Sequence, residues 1–342
     1  MGQDIAEQPE VLRRIVAEGA EQIDAVAAAI RTRRPRFVLL VARGTSDHAA
    51  LYAKYLIEIR LGLAAGLASP STLTVYGARP DLRDVLVLAV SQSGGSPDLV
   101  GSVEAARACG ALTVAATNNR DSDLAEAAEF HVDVMAGHER AVAATKTYTA
   151  ELLSLFLLLE GVRTGRMSEP IQAVAPLPDL VHGVIADSTR SVAAVAPRYR
   201  FATQMITTAR GYSYATAREA ALKLMETSYL SAQAFSGADL LHGPLALVDQ
   251  EMPVIAVVSR GLAGTAMHPV TERLVCGGGD VLVVGEVPAG LSTTTLPLPE
   301  VPEELAPILE IVPLQILARD LAVARGSNPD APRGLSKVTE TW

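Results

Sequence analysis

Residues 37–55 read FVLLVARGTSDHAALYAKY. Phe37 to Val41 is an unbroken apolar run of strand length, the pattern of a strand buried on both faces. Ser46-Asp47 is suited to cap a helix, expected to run to about Arg60. Between them lies the turn Ala42-Arg43-Gly44-Thr45. A buried strand, a short turn and a helix form the unit of an α/β fold.

That unit recurs outward from this stretch. Before it, Ile15, Ile23, Val26 and Ile30 predict an amphipathic helix from Val11 to Thr32, ending ahead of Pro35. After it, strands are expected at Leu73–Tyr76, Leu86–Val90, Leu112–Ala116 and, on the outside, Phe130–Val134. Helices are expected from Pro97 to Cys109, Thr145 to Leu159 and Asp179 to Val195. The pattern then restarts. Phe201–Thr207, Val254–Val258 and Val281–Val284 read as strands, Tyr214 to about Leu230 as a helix and Pro269–Val275 as part of another. A last apolar helix spans Pro307 to Val323, its regular part starting only at Pro313. Arg325–Trp342 carries no element signal.

The halves echo each other. Ala209-Arg210-Gly211-Tyr212-Ser213 repeats the turn after the first strand, with Gly44 and Gly211 separated by 167 positions. Ser91 and Ser259, each after an apolar Val, are 168 apart. Two near-equal offsets point to two copies of one α/β unit, with chance matching of short runs as the alternative.

Composition sets the outer bounds. The chain has 342 residues, 49% hydrophobic and 20% charged, enough for two core-bearing domains. A net charge of −9 argues against a general nucleic-acid surface and means an anionic substrate needs a local site. Cys109 and Cys276 belong to no ligand cluster and read as reduced thiols. The polar opening MGQDIAEQPEVLRR is no signal peptide, and no apolar run is long enough to cross a bilayer, so a cytoplasmic protein is expected. His131 and His138 lack a partner set, and neither a GxGxxG nor a GxxxxGK[ST] motif is present. No metal and no cofactor are expected.

Two segments fall between a strand and a helix in the first half: Gly44-Thr45-Ser46 and Ser91-Gln92-Ser93-Gly94-Gly95-Ser96-Pro97-Asp98. Hydroxyls, glycines and a helix N-terminus make a cradle for a phosphate monoester. An ordinary capped turn uses the same residues. The second half has Ser259-Arg260-Gly261 at the matching place, without the serine series. If only one half keeps the cradle, it is the first.

In EAALKLMETSY, residues 219–229, Glu219, Lys223 and Glu226 share one helical face, with Ala220, Leu222, Leu224 and Met225 as apolar surface. They read either as a solvated salt-bridged triplet or as an acid–base cluster. His242, beside the helix-breaking Gly243-Pro244, sits at an element's end and suits proton transfer, though a packing role is open. Lys337 lies in an apolar stretch of the tail, where it is either solvated or able to form an imine.

Together the runs ARGTSDHAA, SQSGGSPD, AGHERAVAATKTYTAE, ARGYSYATAREAALKLMETSY, LLHGPLALVD and NPDAPRGLSKVTETW resemble the sugar isomerase (SIS) domain family over nearly the whole chain. The resemblance implies two tandem SIS domains, each a mostly parallel sheet flanked by helices in three layers. It implies an N-terminal helical segment (1–32), a first domain with the phosphate cradle (33–165), a linker and helix (166–195), a second domain (196–326) and a tail closing the active site (327–342). Ser46, Ser91, Gln92, Ser93 and Ser96 match the family's phosphate site. Glu226 matches the base that moves a proton between C1 and C2, with Glu219 and Lys223 as its charged partners. His242 matches a ring-opening residue lent by the neighbouring subunit, so a homodimer is implied. Lys337 matches the tail lysine that forms an imine with the open-chain ketose. Ala144 stands where aminotransferases of the family have a serine.

The arrangement is similar to the isomerase half of glutamine–fructose-6-phosphate aminotransferases, but no glutaminase segment precedes it here. The stand-alone glucosamine-6-phosphate deaminases of the family are therefore the nearer match, with a phosphorylated amino sugar as substrate and neither nucleic acid nor membrane as partner. Galactosamine-6-phosphate deaminases, fructosamine-phosphate deglycases, phosphosugar aldose–ketose isomerases and aminotransferases lacking the glutaminase share the architecture. A non-catalytic phosphosugar sensor is the alternative from another class. It is disfavoured because Glu226 and His242 are both kept and no DNA-binding module occupies the first thirty residues.

Overall fold

The computed structural model describes residues 1–337, so the Val338–Trp342 part of the expected closing tail lies outside the described residues. The chain forms two compact units. One comprises residues 8–139, 146–178 and 336–337, and the other residues 1–7, 140–145 and 179–335.

The first unit is built on five parallel strands: β1 Phe37–Val41, β2 Ala64–Leu67, β3 Val85–Ser91, β4 Leu112–Thr117 and β5 Phe130–Asp133, in the order β2-β1-β3-β4-β5. Every residue of β4 is buried, and all of β3 after Val85. Burial on both faces is what continuous apolar runs require, and crossover helices supply the cover. On one face Val87, Ala89 and Ala115 pack with Leu99, Val103 and Ala106 of the helix Pro97–Ala108.

The second unit repeats the plan with β6 Gln204–Ala209, β7 Ser231–Ser236, β8 Pro253–Val258, β9 Asp280–Gly285 and β10 Thr294–Leu296, ordered β10-β9-β8-β6-β7 and again all parallel. Ile206, Val254 and Ala256 meet Met267, Val270 and Leu274 of the helix Leu262–Cys276. The expectation of two parallel, helix-flanked sheets holds.

Several elements differ from their expected bounds. Leu73–Tyr76 is not a strand. Pro70, whose fixed φ suits a first helical turn, opens the short helix Pro70–Thr74, and the edge strand is the earlier Ala64–Leu67. Phe201–Ala202 lie outside β6, which starts at Gln204. The first helix begins at Gly2 and runs through a π-helical turn at Ile15–Gly19 to Arg33, where Arg34 enters the left-handed region. The last helix runs unbroken from Ala306 to Ala324 with Pro313 inside it. An interior proline costs about 3 kcal/mol. Burial of Ile308, Leu309, Ile311, Val312, Leu314, Ile316 and Leu317 offsets this, at about 1.5–3 kcal/mol per large side chain. No helix among the described residues is long and apolar enough to cross a membrane.

Candidate active site

In each sheet the strand order reverses at one junction: between β1 and β3 in the first unit, and between β6 and β8 in the second. Ligands of open parallel sheets bind beyond the carboxyl ends of the strands at such a reversal.

At the first junction the helix Gly44–Leu56 follows β1, and Gly44 adopts φ +54°. Ser91 is the last residue of β3, and its Oγ accepts from Gly94 N at 3.1 Å. Ser93 Oγ accepts from Gly95 N at 3.3 Å. Both hydroxyls accept in these bonds, so their own protons stay available to an anion. Ser96 precedes the helix Pro97–Ala108 in extended conformation and makes no side-chain capping bond. Gln92 is half-buried, and its carbonyl accepts from Asn118 N. Gly94 has φ +67°, and a Cβ there would lie 2.2 Å from Ser122 Oγ, so this turn requires glycine.

Ser46 differs from its expected part. It is buried and donates its only hydroxyl proton to Glu151 Oε1 at 2.7 Å. Toward an anion it offers its place in the first helical turn, not that proton. Arg43 and Asp98 join the two arms of the cradle through contacts of 2.8 and 2.9 Å to one buried carboxylate. Sequence reading passed over Glu151, Arg43 and Asp98. A glutamate inside the apolar run TAELLSLFLLLE was the available signal for the first.

The second unit carries the expected acid–base cluster on the helix Ser213–Ser228. Glu219 and Lys223 are fully buried, which rules out a solvated surface triplet. Lys223 Nζ lies 3.4 Å from Glu219 and 2.5 Å from Glu226. Burial works against the ammonium, but the two carboxylates overcome it and hold the Lys223 pKa above its ordinary value. Lys223 therefore stays a cation and does not act as a base near neutral pH. Glu226 is the member of the cluster that reaches solvent, with its side chain 21% exposed. Ala220 and Leu224 are core, whereas Met225, expected as apolar cover, is 41% exposed.

The helix ends where Tyr229 turns into the left-handed region. The tail is fastened there. Arg333 N donates to the Tyr229 hydroxyl at 2.9 Å, and the guanidinium lies over the ring, 4.2 Å from its centre. His242 is exposed at the end of the short helix Gly237–Leu241, just beyond the carboxyl end of β7. Lys337, the last described residue, is half-buried. Ser46, Ser91, Gln92, Ser93 and Ser96 thus belong to one unit, and Glu219, Lys223, Glu226 and His242 to the other.

The second junction carries different chemistry. Leu262 N and Ala263 N, at the start of the helix Leu262–Cys276, both donate to the Glu303 carboxylate at 3.1 and 2.8 Å. Ser213 and Thr216 donate to the buried Glu310 at 2.8 and 2.9 Å. Ser213 and Glu310 thus reproduce the Ser46–Glu151 pair. Burial pushes the Glu310 carboxyl up to about 7 against the opposing pull of those two hydroxyls, with the Glu303 charge adding to the rise. The chain's own carboxylate occupies the helix terminus that would bind an anion, so the first junction is the open cradle.

The SIS domain model matches twice, at residues 33–161 and 199–325. The chain belongs to the SIS domain family. Glutamine–fructose-6-phosphate aminotransferase (isomerizing) of Gloeobacter violaceus is 35% identical over 313 residues, 88% of this chain and 51% of that protein. The likeness is to the C-terminal, isomerase half of that longer enzyme, and the chain spans about half the length of the curated relatives it matches. Among solved structures, a protein from Silicibacter pomeroyi provisionally described as a phosphosugar isomerase superposes with a TM-score of 0.86. It is 35% identical, covering 96% of this chain and 99% of that one. A glucosamine-6-phosphate deaminase from Thermotoga maritima shares the SIS fold with a TM-score of 0.73. Its identity is 21%, covering 97% and 100% of the two chains.

Proposed function

We propose that the protein is an isomerising aminosugar-phosphate deaminase, converting glucosamine 6-phosphate and water to fructose 6-phosphate and ammonia. The observation that carries the reading is the cluster in which Glu219 and Glu226 share a buried, permanently charged lysine while Glu226 alone opens to solvent. This arrangement supports the assignment of Glu226 as the base. The serine-lined first junction supplies the anion cradle that a phosphosugar needs. Sequence likeness to isomerases and aminotransferases of the SIS family supports an enzyme acting on phosphosugars. The runs shared with the family's deaminases favour ammonia release.

In this scheme the phosphate is held by Ser91, Ser93, Ser96, Gln92 and the helix turn at Ser46. Anchoring one end turns a flexible open-chain sugar into an oriented one. His242 assists ring opening and is lent by the neighbouring subunit of a homodimer. Its exposed position suits that assignment. Glu226 takes the proton from C2 of the open-chain aldehyde and returns a proton to C1. The C2 amine becomes an imine, water adds at C2 to give a carbinolamine, and its C–N bond breaks to release ammonia and leave the C2 ketone. Lys223 stabilises the negative charge of the cluster, and Glu219 holds Lys223 in place. Lys337 contributes an imine to the ketose or seats the tail.

Ammonia release is measured with glucosamine 6-phosphate, galactosamine 6-phosphate and a fructosamine 6-phosphate in parallel. The expected result is release from the first, one for one with fructose 6-phosphate. Glu226→Gln then lowers kcat by about 10²–10⁴ while substrate still binds. Interconversion of fructose 6-phosphate and glucose 6-phosphate without ammonia would replace the deaminase with a plain isomerase, the second reading favoured by the Silicibacter pomeroyi likeness. Silence from all substrates with binding retained would leave a sensor.

A further inference from the structure

Beyond the carboxyl ends of β8 and β9 lies a cavity of about 140 Å³. Its walls include Ser259 and Glu310, the rim residues Glu286 and Glu300, and an apolar shelf of Pro297 and Leu298. Ser259 is 6% exposed, and its Oγ is buried with no hydrogen-bond partner among the described residues. A buried hydroxyl left unpaired costs about 1–3 kcal/mol, so it calls for a partner that binds from outside. The cavity opens at the carboxyl ends of the strands, the edge at which open parallel sheets take ligands, one strand over from the β6–β8 reversal.

The charge of the walls selects the ligand. Arg260 is paired to Glu300 and brings no surplus positive charge. Glu286 has no such counterion on the cavity wall, while Glu310, its carboxyl raised by burial to about 7, is already held by Ser213 and Thr216. The neighbouring helix terminus, which would draw a phosphate, is satisfied by Glu303. A phosphate ester is therefore disfavoured in this cavity. A hydroxylated amine meets the opposite conditions, with hydroxyls for Ser259, an ammonium for Glu286 at the rim and C–H surface for the proline–leucine shelf. The volume, below the ~300–1,000 Å³ common for drug-sized ligands, restricts the guest to a small molecule.

The geometry points to a second small-molecule site in the second unit, one that excludes phosphate and takes an unphosphorylated amino sugar or a similar polyhydroxylated amine. It is separate from the acid–base cluster, whose side chains do not line the cavity. A free amino sugar there would report the supply of the substrate's precursor, since phosphorylation is the reaction class that turns one into the other.

The test uses the full chain and glucosamine as probe, read by saturation-transfer NMR and calorimetry, with and without saturating fructose 6-phosphate. The expected result is one glucosamine site per chain, not displaced by fructose 6-phosphate or inorganic phosphate. Ser259→Leu fills the cavity and should weaken binding by about tenfold or more. Should that variant fail to fold, Glu286→Lys, a charge reversal on an exposed side chain, provides the same reading. Absence of binding at millimolar glucosamine overturns the proposal. So does displacement by fructose 6-phosphate, or equal affinity in a folded Ser259→Leu or Glu286→Lys variant. Each of these outcomes leaves ammonia release from the phosphorylated sugar untouched as a separate measurement.

Discussion

Replacing Glu310 by Gln should make the protein more stable at alkaline pH and leave it nearly unchanged at acid pH. Glu310 is fully buried, and its carboxyl is raised from 4.5 to about 7 by that burial. Below about pH 4.5 the group is neutral in both folded and unfolded chains, and its contribution is complete. Between 4.5 and 7 the unfolded chain ionises while the folded chain keeps its proton, so stability drains as pH rises. Above 7 the folded chain carries a buried carboxylate. At 1.36 kcal/mol per pKa unit the loss is about 3 kcal/mol. Gln keeps a carbonyl acceptor, and the Ser213 or Thr216 hydroxyl can rotate to accept from its amide. An unfolding entropy of about 2.1 cal/mol/K per residue converts the loss to about 4 °C for cooperative melting of the chain. Thermal melts of wild type and Glu310→Gln at matched pH read this directly. Other titrating groups are common to both proteins and cancel in the difference. That difference should grow between pH 4.5 and 7 and then level off with the variant ahead. Parallel melting curves across the range would refute a neutral buried Glu310.

Other perturbations test the remaining assignments. Lys223→Met removes the cation from the buried cluster with Glu219 and Glu226, and should cost about 3–5 kcal/mol in urea unfolding. Adding Glu219→Gln should recover much of this, and no recovery would mean that Lys223 stabilises through packing alone. Gly94→Ala forces a Cβ onto Ser122 from a positive φ. Phosphate affinity, read by ³¹P NMR, should fall by about tenfold or more, as expected for a cradle displaced by overpacking, and unchanged affinity would remove the turn from the site. If His242 serves a neighbouring copy, mixing the inactive Glu226→Gln and His242→Asn proteins should restore up to about a quarter of wild-type activity through mixed dimers. Mixtures that stay inactive after verified subunit exchange would confine the site to one chain.

The inner strands of both sheets were legible because burial on two faces demands the apolar runs LVLAV, LTVAA and VIAVV. The edges were not. Ala64–Leu67, Ser231–Ser236 and Thr294–Leu296 are short, small or polar, since an edge strand has only one neighbour. The charged triplet could be placed on one helical face from its spacing, but spacing does not tell a buried face from a solvated one. That required the packing of the helix Ser213–Ser228 against Ala306–Ala324, a contact between segments about ninety residues apart. Glu151 and Glu310 escaped notice for the opposite reason. Each is a carboxylate set among apolar residues of a long helix, and its partner is a serine on another helix that local periodicity cannot connect to it.

Those two serine–carboxylate pairs also explain how one plan can carry two unlike junctions. In both units the first helix after the first strand is tied by a buried hydroxyl to a carboxylate on a long apolar helix, so the scaffold is shared. The difference lies in what meets the helix after the third strand. In the first unit the turn before Pro97 is a run of serines and glycines whose hydroxyl protons stay uncommitted. In the second, Gly261 leaves room for Glu303, whose carboxylate lies where a Cβ would fall and accepts from the helix terminus. A carboxylate seated there neutralises the donor end of the helix and adds negative charge beside Glu310. The affinity for an anion is thus removed by the chain itself, without loss of the fold. Removing that carboxylate by Glu303→Ala should free the helix terminus and lower the Glu310 pKa. The pH window of its stabilisation would then narrow from the alkaline side.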